Sequence, residues 1–264
     1  MERKNIVILA VVGVLLTAGC LGSVGDGPTS DATPTNEGIG EGTETGSTAD
    51  GEWELSGPEK ALLEAGSFTA TWTWQASDGI ETEATEVSQQ VDLANERSLS
   101  TVANTAEEGL LIESFYADGV KYTRMGSDTA DSEPLYMASQ SEFEGDAMIY
   151  DYGYAYDSSD LDDWSLEGTT TYDGVTVRKY VYSGVDLWIG TGAWAGSDEF
   201  EVTDVEFTML VDKNGIARHQ SYRVEGTDKD GQTQWFEWKY TVQQVGSTTV
   251  DDPQWLPEAF EATR

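Results

Sequence analysis

Phe68-Thr69-Ala70-Thr71-Trp72-Thr73-Trp74-Gln75-Ala76 alternates apolar and polar residues at every step. Side chains of an extended chain point to opposite faces with a period of two, so one face gathers Phe68, Ala70, Trp72, Trp74 and Ala76, and the other gathers three threonines and a glutamine. A helix would scatter the same residues around its axis. Threonine and tryptophan also suit a pleated surface. The stretch therefore predicts a strand buried on one side, and Asp78-Gly79 just after it is a hairpin turn signal.

The same grammar repeats outward from this strand. A more polar partner follows, with Val87, Gln89, Val91 and Leu93 in phase, and a further strand is expected around Arg97 to Ala103. Asp118-Gly119 joins Leu110–Tyr116 to Val120–Met125, Asp173-Gly174 joins Thr169–Tyr172 to Val175–Tyr182, and Asn214-Gly215 joins Val202–Val211 to Ile216–Glu225. Asp230-Gly231 leads into a last strand, Trp235–Val242. Two-residue turns connect antiparallel neighbours, so the expectation is an antiparallel sheet of about nine or ten strands. No repeat of 20–50 residues is present to suggest a propeller or solenoid.

Ahead of the first strand, Ser56 and Glu59 form a capping box before Ala61, Leu62, Leu63 and Ala65, and Gly66 is placed to end the short helix. The stretch from Pro134 to Asp163 breaks the hairpin rhythm. Part of its apolar spacing is helical, while Tyr150, Tyr152, Tyr154 and Tyr156 alternate as in a strand. One or two short helices inserted mid-sheet are expected there. Together these elements predict an α+β fold: a large curved antiparallel sheet, an incomplete β-barrel, with a short N-terminal helix and a helical insertion.

The chain has 264 residues, 49 acidic and 14 basic, for a formal charge of −35. Such a surface excludes general binding to nucleic acid, which needs basic groups against phosphate. A single histidine excludes multi-histidine metal centres. A single cysteine excludes an internal disulfide and a cysteine-based zinc site. High charge with modest hydrophobicity often means disorder. Here 9 Trp, 12 Tyr and 7 Phe argue for a core, and all fall after residue 52. A folded domain this acidic repels itself in dilute buffer and is relieved where the Debye length is short, about 3 Å at 1 M salt. The charge therefore describes a solvent of concentrated salt, as in a halophile.

The N-terminus divides differently. Arg3 and Lys4 precede an apolar run, Ile6 to Leu16, which as a helix spans about 17 Å against a hydrocarbon core of about 30 Å. That is the size of a signal-peptide core. Leu16-Thr17-Ala18-Gly19-Cys20 follows, and it resembles the lipobox of prokaryotic lipoproteins, in which small residues precede a cysteine that receives a diacyl- or dialkylglycerol lipid. The alternative is an uncleaved anchor from Ile6 to about Val24. Residues 21–52 are rich in Gly, Ser, Thr, Asp, Glu and Pro and hold no aromatic or basic residue, the composition of a flexible charged linker. The expected organisation is a signal peptide over 1–19, a lipidated Cys20 with an acidic tether over 20–52, and one α+β domain over 53–264, standing outside the cell on a membrane anchor.

Lipobox, tether, helix and successive hairpins together resemble the lipoprotein-carrier superfamily, which includes the bacterial Lol carriers and mycobacterial lipid-transfer lipoproteins. The chain is also similar to an uncharacterised lipoprotein family of halophilic archaea. The residues carrying that likeness are Leu16 to Cys20, Ala65-Gly66-Ser67-Phe68, Tyr172-Asp173-Gly174, and the ending from Val245-Gly246 to Pro253-Gln254-Trp255. The resemblance implies a half-barrel whose concave face holds lipid or acyl chains, with no catalytic motif.

Trp72, Trp74, Phe115, Tyr122, Phe207, Tyr222 and Trp238 are the candidates to line such a cavity, with Tyr152, Tyr156, Trp188 and Trp194 at its rim. An ordinary filled core needs the same residues. Three functions are open on this reading: a carrier of a lipid or other hydrophobic small molecule, an envelope protein-interaction module with no ligand cavity, and a carboxylate-based glycoside hydrolase. A void of about 300 Å³ or more lined by those aromatics separates the first from the second. The third needs only a pair of carboxylates, which an acidic surface supplies by chance. Asp157, Asp160, Asp162 and Asp163 lack a calcium-loop pattern, and no phosphate-binding or nucleophile-elbow motif is present. No cofactor, metal or nucleic-acid partner is expected; the membrane is, through Cys20.

Overall fold

In the computed structural model the first strand, β1 (Ser67–Ser77), lies in the middle of an eleven-stranded antiparallel sheet. The described residues are 53, 58–104, 109–127, 133–152, 164–185 and 200–264. On one side of β1 a meander runs through β2 (Thr82–Asp92), β3 (Arg97–Asn104), β4 (Leu110–Ala117), β5 (Val120–Ser127) and β6 (Leu135–Gln140). The second meander comprises β7 (Ser165–Tyr172), β8 (Val175–Ser183), β9 (Phe200–Asp212), β10 (Ala217–Asp228) and β11 (Thr233–Gln243). The strand order is β6-β5-β4-β3-β2-β1-β11-β10-β9-β8-β7, so pairing of β1 with β11 joins the two meanders. β6 and β7 are the two edges, and the sheet is open rather than closed into a barrel. All described residues belong to one compact unit, Gly51–Arg264.

Among the described residues, the five Asp-Gly and Asn-Gly pairs all sit at hairpin turns. At two of them both turn residues have positive φ, Asp118 at 52° with Gly119 at 78°, and Asp173 at 48° with Gly174 at 75°. This is the primed turn whose twist matches that of the strands, and it is why a small polar residue and glycine stand there. The expectation of nine or ten strands is corrected to eleven. The additional strand is β6, inside the stretch read as helical; its six residues are too few for periodicity to tell strand from helix. The expected inserted helix does follow it, as α2 (Gly145–Tyr152).

The N-terminal helix α1 (Pro58–Ala65) ends at Gly66, whose φ of 74° lets its N–H return to the Leu62 carbonyl at 3.1 Å. Ser56, the expected cap, lies outside the described residues. Leu62 of α1 and Ile149 of α2 are buried with Phe68, Ala70, Val91, Tyr240 and Val242, which form the main core. α2 thus lies over the middle of the sheet within the connection that carries the chain from one edge strand to the other.

A third helix, α3 (Leu256–Ala262), was not expected from the sequence. It buries Leu256 and Ala259 against Phe115 and Ala117. The register fixes its side. Thr69 of β1 pairs with Gln90, Gln90 with Leu99, and Leu99 with Phe115, so Phe115 shares the face of the β1 threonines. The sheet therefore carries α1 and α2 on the face of Trp72 and Trp74, the aromatic face, and α3 on the other, the threonine face.

Candidate functional site

The aromatic face is built by register. Trp74 stands opposite Trp238, Trp238 opposite Tyr222, Tyr222 opposite Phe207, and Phe207 opposite Tyr182, a row across five strands. Ring contacts tie it together. Phe207 and Tyr222 have centroids 4.3 Å apart, and Tyr222 and Phe236 meet edge to face at 6.4 Å. Trp164, just before β7, packs on Tyr182 at 6.0 Å and on Phe207 at 6.1 Å. Trp74, Phe207, Tyr222, Phe236 and Trp238 are each half-buried.

One position nearer the helices, a second row runs from edge to edge. It passes through Leu135, Met125, Ile112, Val102, Val87, Trp72, Tyr240, Gln220, Met209, Tyr180 and Leu166, one residue from each strand. Only Gln220 among them is not apolar. Ten strand spacings of about 4.8 Å make this row about 48 Å long. Its centre is buried and its ends, Leu135 and Leu166, are exposed.

In the middle of the sheet charge separates the two faces; further out the register also sets Glu83, Arg178 and Lys121 on the aromatic face. Over Phe68–Ala76, Val205–Val211, Gln220–Val224 and Phe236–Val242, no position on the aromatic face holds a charged residue. The same strands carry Glu206, Arg223, Glu237 and Lys239 on the threonine face. In a chain of net charge −35 this segregation is large. Burial supports it chemically: the Tyr222 hydroxyl is buried without a hydrogen-bond partner, and desolvation raises its pKa above the usual 10.0.

Of the seven expected lining residues, Trp72, Trp74, Phe207, Tyr222 and Trp238 share the aromatic face. The grouping is corrected for the other two. Phe115 and Tyr122 lie on the threonine face, under α3, where Phe260 meets the Tyr122 ring edge-on at 4.9 Å and Arg97 stands over Phe115 at 5.0 Å. Of the expected rim, Tyr156, Trp188 and Trp194 and the side chain of Tyr152 lie outside the described residues, as do Cys20 and the aspartates at 157, 160, 162 and 163. Residues not anticipated for this face are Phe236, Tyr180, Tyr182 and Trp164. Phe236 had a sequence signal, being two residues before Trp238 in one strand; Trp164 had none.

An open pocket of about 600 Å³ lies elsewhere, lined by Asp92, Asn95, Arg97, Asp118, Thr249, Val250, Asp251 and Asp252 among others. None of the seven aromatic residues borders it. Two pairs of its polar groups bond: Asp92 accepts from the Asn95 side chain at 2.8 Å, and Arg97 bonds Asp252. No group of three or more His, Cys, Asp or Glu able to hold a metal occurs among the described residues.

His219 lies on the threonine face, 5.6 Å from the Tyr172 ring, with Nδ1 buried and unbonded. Burial lowers its pKa below 6.5; Lys239 lowers it further, and Glu237 opposes them. It stands apart from the aromatic rows, on the opposite side of the sheet.

Residues 5–259 match DUF7537, a family of unknown function, and the chain belongs to it. No curated protein matches the chain. Among solved structures it is similar to the Mycobacterium tuberculosis lipoprotein LppX, at 13% identity and a TM-score of 0.32, covering 74% of this chain and 96% of that one. It is also similar to LprF from Mycobacterium bovis, at 10% identity and a TM-score of 0.33, covering 74% and 92%. A putative outer membrane lipoprotein-sorting protein domain from Vibrio parahaemolyticus gives 8% identity and a TM-score of 0.20, covering 76% and 94%.

Proposed function

We propose that the protein is exported, held at the outer surface of a membrane by lipid on Cys20, and binds a lipid or another hydrophobic ligand on the aromatic face. The observation that supports this most is the uncharged stretch of that face in so acidic a chain. Helices α1 and α2 pack on the buried apolar positions of the main core, such as Phe68, Ala70 and Tyr240. The row from Trp74 to Phe207 continues the apolar surface across strands, with rings half-buried. Tryptophan, tyrosine and phenylalanine offer large contact areas with few torsions to freeze, which suits binding of an alkyl or isoprenoid chain. Burial is worth about 25 cal/mol per Å² of apolar surface, and salting-out solutes strengthen it. We read the acidic excess as adaptation to concentrated salt, where such a face and its ligand associate most strongly. The chemistry we assign to the row from Trp74 to Phe207 is binding.

The direct experiment is mass spectrometry of the native protein extracted from its membrane. The expected result is a mass increment on a chain beginning at Cys20 and a co-purifying apolar compound. A chain with an unmodified Cys20 removes the anchor. A chain with no bound compound, which also fails to bind a fluorescent acyl probe in high salt, removes the ligand.

A further inference from the structure

The two edges of the sheet are built differently. β7 carries devices that discourage pairing: Glu167, bonded to Lys179 at 2.7 Å, and a register shift between Leu166 and Gly168, with Gly168 at φ 119°. A charge and a bulge on an edge strand keep a further strand from docking. β6 has neither. Leu135-Tyr136-Met137-Ala138-Ser139-Gln140 holds no charged residue and no proline, and it pairs with β5 without a register shift. Its residues are exposed apart from Tyr136, which stacks on Trp255 at 6.3 Å. Leu135 is 59% and Met137 45% exposed, and both stand on the aromatic face, opposite Met125 and Thr123. Six uncharged residues in an extended edge, unpaired on its outer side among the described residues, are unusual in a chain of charge −35.

We propose that β6 pairs with β6 of a second copy of this chain, continuing the sheet across a two-fold axis. The occupant must be an extended, uncharged strand with an apolar face, and β6 itself meets that description. Antiparallel pairing centred on Met137 sets Met137 against Met137 and Leu135 against Ser139 of the second copy, so the aromatic faces of both copies stay on one side. Backbone bonds supply the pairing, and the sulfur and leucine side chains cover it. The charges nearest the strand, Glu133 and Glu142, fall beyond its ends, where each approaches the other copy's like charge. The pairing is therefore opposed by repulsion in dilute buffer and favoured by salt, the reverse of what a basic partner would show. Six residues bury less than a standard interface of about 1,600 Å², so the dimer is weak and reversible. This inference does not depend on ligand binding.

Sedimentation equilibrium of the full chain in density-matched non-ionic detergent tests it, at about 0.2 M and about 3 M KCl, either side of the salt at which screening reaches side-chain distances. The expected result is a monomer at the lower salt and a dimer at the higher, with the association constant raised roughly tenfold or more as the Debye length shrinks. Met137→Lys and, independently, Ser139→Lys abolish the dimer at high salt with unchanged far-UV circular dichroism, while Leu166→Lys on the opposite edge leaves it intact. A chain that is monomeric at both salts overturns the proposal. A dimer that survives both β6 substitutions, or that is stronger at low salt, overturns it as well.

Discussion

Asp212 ends β9 with its side chain 1% exposed, and it organises the turn into β10. One carboxylate oxygen accepts the backbone N–H groups of Asn214 at 2.9 Å and Ile216 at 3.1 Å; the other accepts Arg218 Nε at 2.7 Å. The Arg218 side chain is itself only 9% exposed. Replacing Asp212 by alanine leaves a buried guanidinium and two turn N–H groups without their acceptor. Breaking a buried pair from one side costs about 3–5 kcal/mol, and we expect a loss of about 4 kcal/mol. For a domain of this size that lowers Tm by about 10 °C. The assay is urea unfolding followed by tryptophan fluorescence at fixed KCl, for the wild type, Asp212→Ala, Arg218→Met and the double variant. The double variant should regain a large part of the loss, because the stranded charge is gone. The loss should change little between low and high salt, because buried charges are poorly screened. A single-variant loss below about 1 kcal/mol, within the range of an exposed pair, would refute the reasoning.

Gly226 interrupts β10 at a register shift, and a Cβ there would lie 2.4 Å from the Glu201 carbonyl oxygen and 2.5 Å from the Phe200 ring. Gly226→Ala should cost about 1–3 kcal/mol, read by urea unfolding, since the carbonyl belongs to the neighbouring strand and cannot step aside. The His219 pKa is held below 6.5, so stability from the neutral ring is full above that pH and is lost as the pH falls through the window below it. His219→Gln should remove that part of the acid sensitivity in a pH series of unfolding curves; an unchanged series counts against burial of the ring. Tyr222 is shifted the other way, so its phenolate should form above the usual 10.0 in a spectrophotometric titration, and Tyr222→Phe should delete that late component. Cys20→Ser should leave the precursor uncleaved or shed into the medium, judged by fractionation; normal processing and retention would argue for the uncleaved anchor.

The hairpins were legible because each is local. An apolar alternation, a two-residue turn and a second alternation fall within about twenty residues, and the φ values at Asp118-Gly119 and Asp173-Gly174 follow from those residue types. What was not legible is the face on which a distant strand's alternation lands. Phe115 and Tyr122 alternate as convincingly as Trp72 and Trp74, yet three successive registers, from β1 to β4, put Phe115 on the other side. A one-residue change in any register would reverse the assignment. The reason a second apolar face exists at all is α3, which is seven residues long with no side-chain cap. So short a helix takes its stability from packing on Phe115 and Tyr122 rather than from its own sequence. β6 was missed for a related reason: its exposed, uncharged residues are not those of a half-buried strand, and only pairing with β5 defines it.

The central claim is that the ligand lies on the aromatic face. Titration of a fluorescent acyl probe in concentrated KCl, with wild type and two variants from adjacent positions of β1, tests it most directly. Trp74→Glu places a charge in the row of Trp238, Tyr222 and Phe207, whereas Thr73→Glu places the same charge opposite Lys239 on the other face. The account predicts saturable binding by the wild type, a loss of roughly tenfold or more in affinity for Trp74→Glu, as for a charge set against apolar surface, and unchanged affinity for Thr73→Glu. No binding by the wild type, or equal losses in both variants, would contradict it.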